Sequence, residues 1–314
     1  MRPVGTVAVL GGGTIGAGWA GLFAAHGLTV RVADPGEGVA GRVAEAVANA
    51  HAVARALGQG VQEPSSPQVT ASLEEAVSGA DFIQETLPER LALKYDVFRA
   101  VEEVAGPDVV IASSSSGLSP SELQQGLRHP ERLVIGHPCN PPYLMPVVEV
   151  VGGGRTSAEA VAQALAFYRG LGKQALHVRR EAPGHLVNRL QAALWREAVH
   201  LVAEGYASVE DVDAAVTQGL GPRWAVCGPH TIFHLAGGPA GMEKFLKDLG
   251  GEVERWWASL GQPSLTPEVQ AALIDGMAAA AKDRPVAQLA AERDRVVVGV
   301  LKAVAAERRK ANAE

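Results

Sequence analysis

The chain opens on a strand that runs straight into a glycine turn, Val7-Ala8-Val9-Leu10-Gly11-Gly12-Gly13-Thr14-Ile15-Gly16. An apolar β-branched run, a G-x-G-x-x-G turn and an Ala-rich helical stretch to about Ala25 leave few folds open to the first half of the protein. Gly11 permits the tight turn, Gly13 lets the backbone approach a pyrophosphate, and Gly16 lets the helix lie close on its strand. The free N–H groups of the helix start, at Thr14, Ile15 and Gly16, and the positive end of its dipole then face the phosphates. A second apolar strand, Thr29-Val30-Arg31-Val32-Ala33, ends in Asp34, 18 residues past Gly16. That is the expected place for an acid that bonds the adenosine ribose hydroxyls. A carboxylate there repels a 2′-phosphate, and Pro35-Gly36 supplies no cation, so NAD is expected in preference to NADP.

Beyond this unit, short β-branched runs alternate with Ala-rich helical stretches as far as about residue 182, the pattern of a doubly wound parallel sheet. Strands are expected at Asp81 to Gln84, Val109 to Ala112, Leu133 to Gly136 and Val147 to Val151. Helices are expected at Gly41 to Leu57, Leu91 to Val104 and Ser157 to Leu171, with Gly58 to Pro67 as a loop. After Pro183-Gly184 helical periodicity takes over. Leu186, Leu190, Leu194, Leu201 and Val202 form an apolar helix face, Ser208 and Asp211 mark a new helix start, and further helices follow to Arg309. The expectation is an α/β chain, an N-terminal Rossmann-type doubly wound domain (residues 1–182) followed by an all-α C-terminal domain (residues 183–314).

With 314 residues and 47% hydrophobic content, both domains can have real cores. A net charge of −6 offers no basic footprint for nucleic acid or anionic lipid. The two cysteines, Cys139 and Cys227, are too few for a disulfide framework or a metal cluster, so no metal is expected. The first strand begins too early to leave room for a signal peptide, and no uncharged run approaches the ~20 residues of a membrane span. A cytoplasmic protein is expected.

The chemistry is concentrated in four segments: Ser113-Ser114-Ser115-Ser116-Gly117-Leu118, Gly136-His137-Pro138-Cys139-Asn140-Pro141, Val147-Val148-Glu149-Val150 and Pro183-Gly184-His185-Leu186-Val187-Asn188-Arg189. Together with Gln84-Glu85-Thr86-Leu87-Pro88-Glu89 and Lys94, and in this order, they resemble the 3-hydroxyacyl-CoA dehydrogenase family over nearly the whole chain. The resemblance implies a Rossmann lobe, a helical lobe that mediates homodimerisation, and an active site in the cleft between them. It also implies that His137 is the catalytic base, Glu149 its partner, and Ser116 and Asn188 the polar groups around the reacting oxygen. Glu89 and Lys94 match positions near the nicotinamide side of the cofactor. The residue types suit the task. An imidazole titrates near neutral pH, a carboxylate can fix its tautomer, and hydroxyl and amide donors can steady charge developing on oxygen.

Relatives that use coenzyme A thioesters close the helical domain with a Gly-rich, aromatic-ended tail, whereas this chain ends in a charged helix, Glu292 to Arg309. The segments His137 to Tyr143, Gly219 to Trp224 and Gly228-Pro229-His230 resemble the lambda-crystallin and L-gulonate 3-dehydrogenase branch. Leu235 to Met242 and Tyr143-Leu144 are similar to bacterial carnitine dehydrogenases. The resemblance therefore implies NAD-dependent oxidation of the 3-hydroxyl of a small 3-hydroxy acid. An L-gulonate-like acid ranks first, ahead of carnitine, because Trp224 and Phe233 make only a thin aromatic cage beside His230 and His234. A 3-hydroxyacyl-CoA dehydrogenase and a non-catalytic, crystallin-like NAD-binding protein are the alternatives. A free acid needs a cation, and Arg223, with Trp224 beside it, is the expected substrate contact.

Overall fold

The computed structural model describes residues 3–311. The opening motif folds as the sequence requires. Strand β1 (Thr6–Leu10) leads through the glycine turn into helix α1 (Thr14–Ala25), and β2 (Thr29–Ala33) returns beside β1. Helix α2 (Val39–Leu57), β3 (Gln68–Thr70), α3 (Leu73–Val77), β4 (Phe82–Glu85), α4 (Leu91–Val104), β5 (Val110–Ser113) and the single turn α5 (Pro120–Leu123) follow. Then come β6 (Leu133–Pro138), β7 (Val147–Gly152), α6 (Ala158–Gly170) and β8 (Gln174–Val178).

The eight strands form one sheet in the order β3-β2-β1-β4-β5-β6-β7-β8. The chain reverses the direction of strand addition between β1 and β4, and the C-terminal ends of those strands flank the glycine turn. Such a switch point opens the crevice in which doubly wound sheets bind ligands. Alternation within β1 divides the core. Val7 and Val9 pack on one face with Trp19, Phe23 and Tyr168, whereas Ala8 and Leu10 pack on the other with Ile83, Phe98 and Ile111.

The sheet departs from the all-parallel expectation at one place. β6 and β7 are antiparallel, and β7 and β8 run together. Only residues 139–146 connect β6 to β7, too few for the helical crossover that a parallel neighbour needs. Lys173 pins this connection by donating from its ammonium to the carbonyls of Pro142 and Met145. Burial pulls the Lys173 ammonium down to about 8.

The chain separates into two compact units, one ending at Arg189 and one beginning at Leu190. The break falls inside helix α7 (Val187–Ala203). The second unit is helical: α8 (Val209–Ala214), a π-helical segment over 215–220, α9 (Gly221–Trp224), α10 (Pro229–Ala236), α11 (Gly241–Ser259), α12 (Pro267–Ala281) and α13 (Val286–Ala311). Phe233 and Phe245 pack α10 on α11 with ring centroids 4.9 Å apart. Ser208 caps α8 in a capping box with Asp211, as the sequence suggests.

Gly16 is the tightest point of the glycine turn, since a Cβ there would collide with the carbonyl oxygen of Gly11. Gly16→Ala is expected to cost about 1–3 kcal/mol of stability through overpacking and to weaken NADH binding. Thermal unfolding and NADH fluorescence titration check both. Wild-type affinity and stability would show that the turn does not depend on this contact.

Candidate active site

The glycine turn is held from two sides. Thr86, just past β4, donates its hydroxyl to the carbonyls of Leu10 and Gly11 at 3.0 and 2.8 Å. Gly11 takes a positive φ of 98° to make the turn. Among the described residues, nothing stands within 4 Å of where a Gly13 side chain would project, and no side chain caps the start of α1. The backbone N–H groups at Thr14, Ile15 and Gly16 are therefore open to an anion. Asp34 lies at the end of β2 and accepts from the Gly12 N–H at 2.6 Å and the Gly36 N–H at 2.7 Å. Each carboxylate oxygen keeps a second lone pair that can accept from a further donor. Arg42, which the sequence analysis passed over, reaches back from α2 to the carbonyl of Gly12 at 2.9 Å. It sits eight residues beyond Asp34 in a helix of ordinary composition, and only the fold brings it to the turn.

Glu89 and Lys94 take unequal positions. Lys94 is 1% exposed, and its ammonium is engaged by Glu85, itself fully buried, at 2.7 Å and by the Leu87 carbonyl at 3.1 Å. Its contact with Glu89 is longer, 3.9 Å. Lys94 therefore anchors the segment after β4, and Glu89 is the member of the pair that reaches the surface. Glu89 accepts from the Ser115 hydroxyl, the Ser116 N–H and the Gly117 N–H. Burial works to raise its carboxyl, but these donors and the Lys94 charge hold it below the usual carboxylate range. Glu85 also accepts from the Ser113 hydroxyl, and its pairing with Lys94 is not legible from spacing because it joins the end of a strand to a helix.

His137 and Glu149 face each other as register partners of β6 and β7. The antiparallel pairing sets His137 Nδ1 2.9 Å from Glu149 Oε2. His137 is 7% exposed and Glu149 is fully buried. The second oxygen of Glu149 accepts from the N–H groups of Leu186 and Val187 at 2.7 and 3.0 Å, where α7 begins. Burial alone would raise the Glu149 carboxyl, yet the bonds from His137, Leu186 and Val187 keep it below the usual range. A carboxylate can only accept, so Nδ1 of His137 carries a hydrogen, and in the neutral ring the lone pair is therefore on Nε2.

Ser116 and Asn188 come to the same place through one segment. The Gly184 N–H donates to the Ser116 carbonyl at 3.1 Å, and Asn188 lies against Gly184 in the first turn of α7. Ser119, not Ser116, caps α5. The Ser116 hydroxyl and the Asn188 amide make no hydrogen bond among the described residues. His185, to which the motifs alone assign no role, packs its buried ring on His137 with centroids 5.1 Å apart.

Arg223 and Trp224 lie on α9 of the helical unit. Arg223 lines a cavity of about 530 Å³ together with Val226, Phe233, Phe245 and Trp256. Its guanidinium makes no ion pair among the described residues. Trp224 is 42% exposed and lies outside that lining.

A glycine turn at the switch point of a doubly wound sheet and a strand-borne His–Glu pair suit a nicotinamide-dependent dehydrogenase. Residues 6–182 match the model of the 3-hydroxyacyl-CoA dehydrogenase NAD-binding domain, and residues 184–267 match that of the C-terminal domain of the same family. The L-carnitine dehydrogenase of Streptomyces coelicolor is 46% identical over 300 residues, covering 95% of this chain and 94% of that one. The L-carnitine dehydrogenase of Pseudomonas aeruginosa is 44% identical over 308 residues, covering 97% and 95%. Among solved structures, 5-formyl-3-hydroxy-2-methylpyridine 4-carboxylic acid 5-dehydrogenase, an NAD⁺-dependent dismutase, superposes with a TM-score of 0.83 at 30% identity over 96% of this chain and 99% of that one. The 3-hydroxybutyryl-CoA dehydrogenase of Escherichia coli K12 gives 0.64 at 28% identity, over 88% and 57%.

The chain belongs to the 3-hydroxyacyl-CoA dehydrogenase family, and it is an NAD-dependent dehydrogenase acting on a CH–OH group. The ranking of an L-gulonate-like acid above carnitine is corrected by these relatives. That ranking rested on a sparse set of aromatics near Trp224, too local a feature to separate two branches of one family. Among the described residues no helix is long and apolar enough to cross a membrane.

The buried Glu85–Lys94 pair makes a stability prediction. Lys94→Met leaves Glu85 buried without its partner and is expected to cost about 3–5 kcal/mol. Urea unfolding monitored by circular dichroism measures it. A loss under about 1 kcal/mol, the range of an exposed pair, would show that the pair does not anchor the segment.

Proposed function

We propose that this protein is an L-carnitine dehydrogenase, oxidising the 3-hydroxyl of L-carnitine to the 3-keto acid with His137 as base. The observation that carries this reading is the 46% identity to an L-carnitine dehydrogenase over 95% of the chain. When bound, NAD⁺ accepts the hydride that leaves the carbinol carbon. The residues proposed to hold it are Gly11, Gly13, Thr14, Ile15 and Gly16 at the pyrophosphate, Asp34 at the adenosine ribose, and Glu89 on the nicotinamide side, with Lys94 behind Glu89.

The protein's own residues handle the proton. Neutral His137 presents the Nε2 lone pair, because its Nδ1–H is committed to Glu149. As the carbinol carbon becomes a ketone, the alcohol O–H bond breaks toward His137 Nε2, which takes the proton and becomes an imidazolium. Glu149 stays ionised beside that imidazolium because two backbone N–H groups hold its other oxygen. The Ser116 hydroxyl and the Asn188 amide donate to the substrate oxygen as charge grows on it.

L-Carnitine carries a carboxylate and a trimethylammonium group. Arg223, with no internal partner among the described residues, is the proposed carboxylate contact, and aromatic rings such as Trp224 and Phe233 suit the quaternary cation. Initial rates with NAD⁺ test the reading on L-carnitine, L-gulonate, free 3-hydroxybutyrate and L-3-hydroxybutyryl-CoA. L-Carnitine is expected to give the highest kcat/KM, and Arg223→Met is expected to raise its KM about ten- to hundredfold, as the loss of a charge-assisted hydrogen bond should. Preference for the thioester or for L-gulonate would overturn the substrate assignment.

The helical unit also supports a homodimer. Leu190, Trp195, Trp256, Trp257 and Ile274 are all more than half exposed, large apolar side chains of the kind a subunit interface covers. Light scattering after gel filtration is expected to give twice the chain mass of 32.6 kDa. A monomer with wild-type activity would reject the dimer.

A further inference from the structure

Four consecutive residues ahead of and at the start of α7 donate into the candidate site. The Gly184 N–H goes to the Ser116 carbonyl at 3.1 Å, and His185 Nε2 goes to the Ser115 carbonyl at 3.0 Å. The N–H groups of Leu186 and Val187 go to Glu149. One short segment thus holds both the serine loop, which carries Ser116, and the carboxylate that orients His137.

His185 is the member of this segment that acts through its side chain. It is 2% exposed. Its φ of 50° lies in the left-handed region, uncommon for a residue with a side chain. That backbone turn, with Gly184 at a φ of 72°, brings the ring inward while Leu186 and Val187 meet Glu149. Because a carbonyl can only accept, Nε2 carries the hydrogen of the neutral ring and Nδ1 the lone pair. Nδ1 is buried and has no partner among the described residues. The ring lies against His137 at a tilt of 54°. The Ser115 residue that it holds is tied in turn to Glu89 through its hydroxyl.

We propose that His185 is a positioning residue for the oxidation. Its Nε2–H fixes the serine loop, so that the Ser116 hydroxyl meets the same substrate alcohol as His137 Nε2. This inference rests on the reading of His137 as base given above. The hydrogen bond, rather than the aromatic volume, carries the effect. Phenylalanine keeps a ring without the donor, whereas glutamine places an amide N–H near the former Nε2.

The test compares His185→Phe, His185→Gln and His137→Ala with L-carnitine and NAD⁺. His185→Phe is expected to lower kcat about ten- to hundredfold, the scale of a small misplacement at a reacting centre. His185→Gln is expected to stay within about threefold of the unaltered protein, and NADH affinity within about twofold in both, far less than a misplaced reacting group costs. If His185→Phe does not fold, His185→Ala takes its place beside His185→Gln. The inference is overturned by a donor-free variant with full kcat, by His185→Gln being as impaired as that variant, or by NADH affinity falling in step with kcat. His137→Ala separates the two levels. Full turnover in His137→Ala overturns the base assignment itself, whereas an inactive His137→Ala beside an unimpaired donor-free variant overturns only the role of His185.

Discussion

The antiparallel register of β6 and β7 is the constraint on which the candidate site depends. Side chains directly across an antiparallel pair share a face and sit close enough to bond, and this register sets His137 opposite Glu149. A slip of one residue would turn one of the two to the other face of the sheet. The connection over 139–146 excludes the parallel alternative, and Lys173 holds that connection from below through two carbonyls. A strand reversal that looks like a departure from the doubly wound plan is therefore what builds the proposed catalytic pair.

Glu149 is the point where this pair joins the rest of the chain. One oxygen serves His137, and the other serves the N–H groups that open α7. The donors at Leu186 and Val187 oppose the tendency of burial to neutralise the carboxyl, which leaves an anion available to an imidazolium. A parallel arrangement runs through the serine loop. Glu89 gathers Ser115, Ser116 and Gly117, Lys94 and Glu85 brace the segment after β4, and the residues from Gly184 onward hold the loop from the other side. Among the described residues the Ser116 hydroxyl and the Asn188 amide make no hydrogen bond, which suits the contacts to a substrate oxygen proposed for them.

Much of this arrangement was legible in the sequence where local rules decide the structure. The Gly11 to Gly16 turn, the strand ending at Asp34, and the central strands all follow from periodicity and glycine chemistry. β3 is only three residues long, and β8 mixes exposed and buried positions without a period of two, so neither carries a strong pattern. Long-range pairings were beyond reach for a different reason. Motif order points to His137 and Glu149, but nothing in the order says that Lys94 is buried against Glu85, that Arg42 returns to the glycine turn, or that the His185 ring lies on His137. These depend on how strands and helices meet, which spacing along the chain does not encode. The substrate ranking failed on similar grounds, since a few aromatics near Trp224 say less than identity spread over the chain.

Glu149 fixes His137 with a proton on Nδ1, so that the neutral ring carries its lone pair on Nε2. Long-range ¹H–¹⁵N correlation spectra of the ¹⁵N-histidine-labelled protein, with His137→Gln to assign the signals, read that tautomer directly. The account predicts the Nδ1–H form for neutral His137 in the intact protein and loss of that preference in Glu149→Gln. A neutral His137 in the Nε2–H form, or a tautomer unchanged by Glu149→Gln, would contradict it.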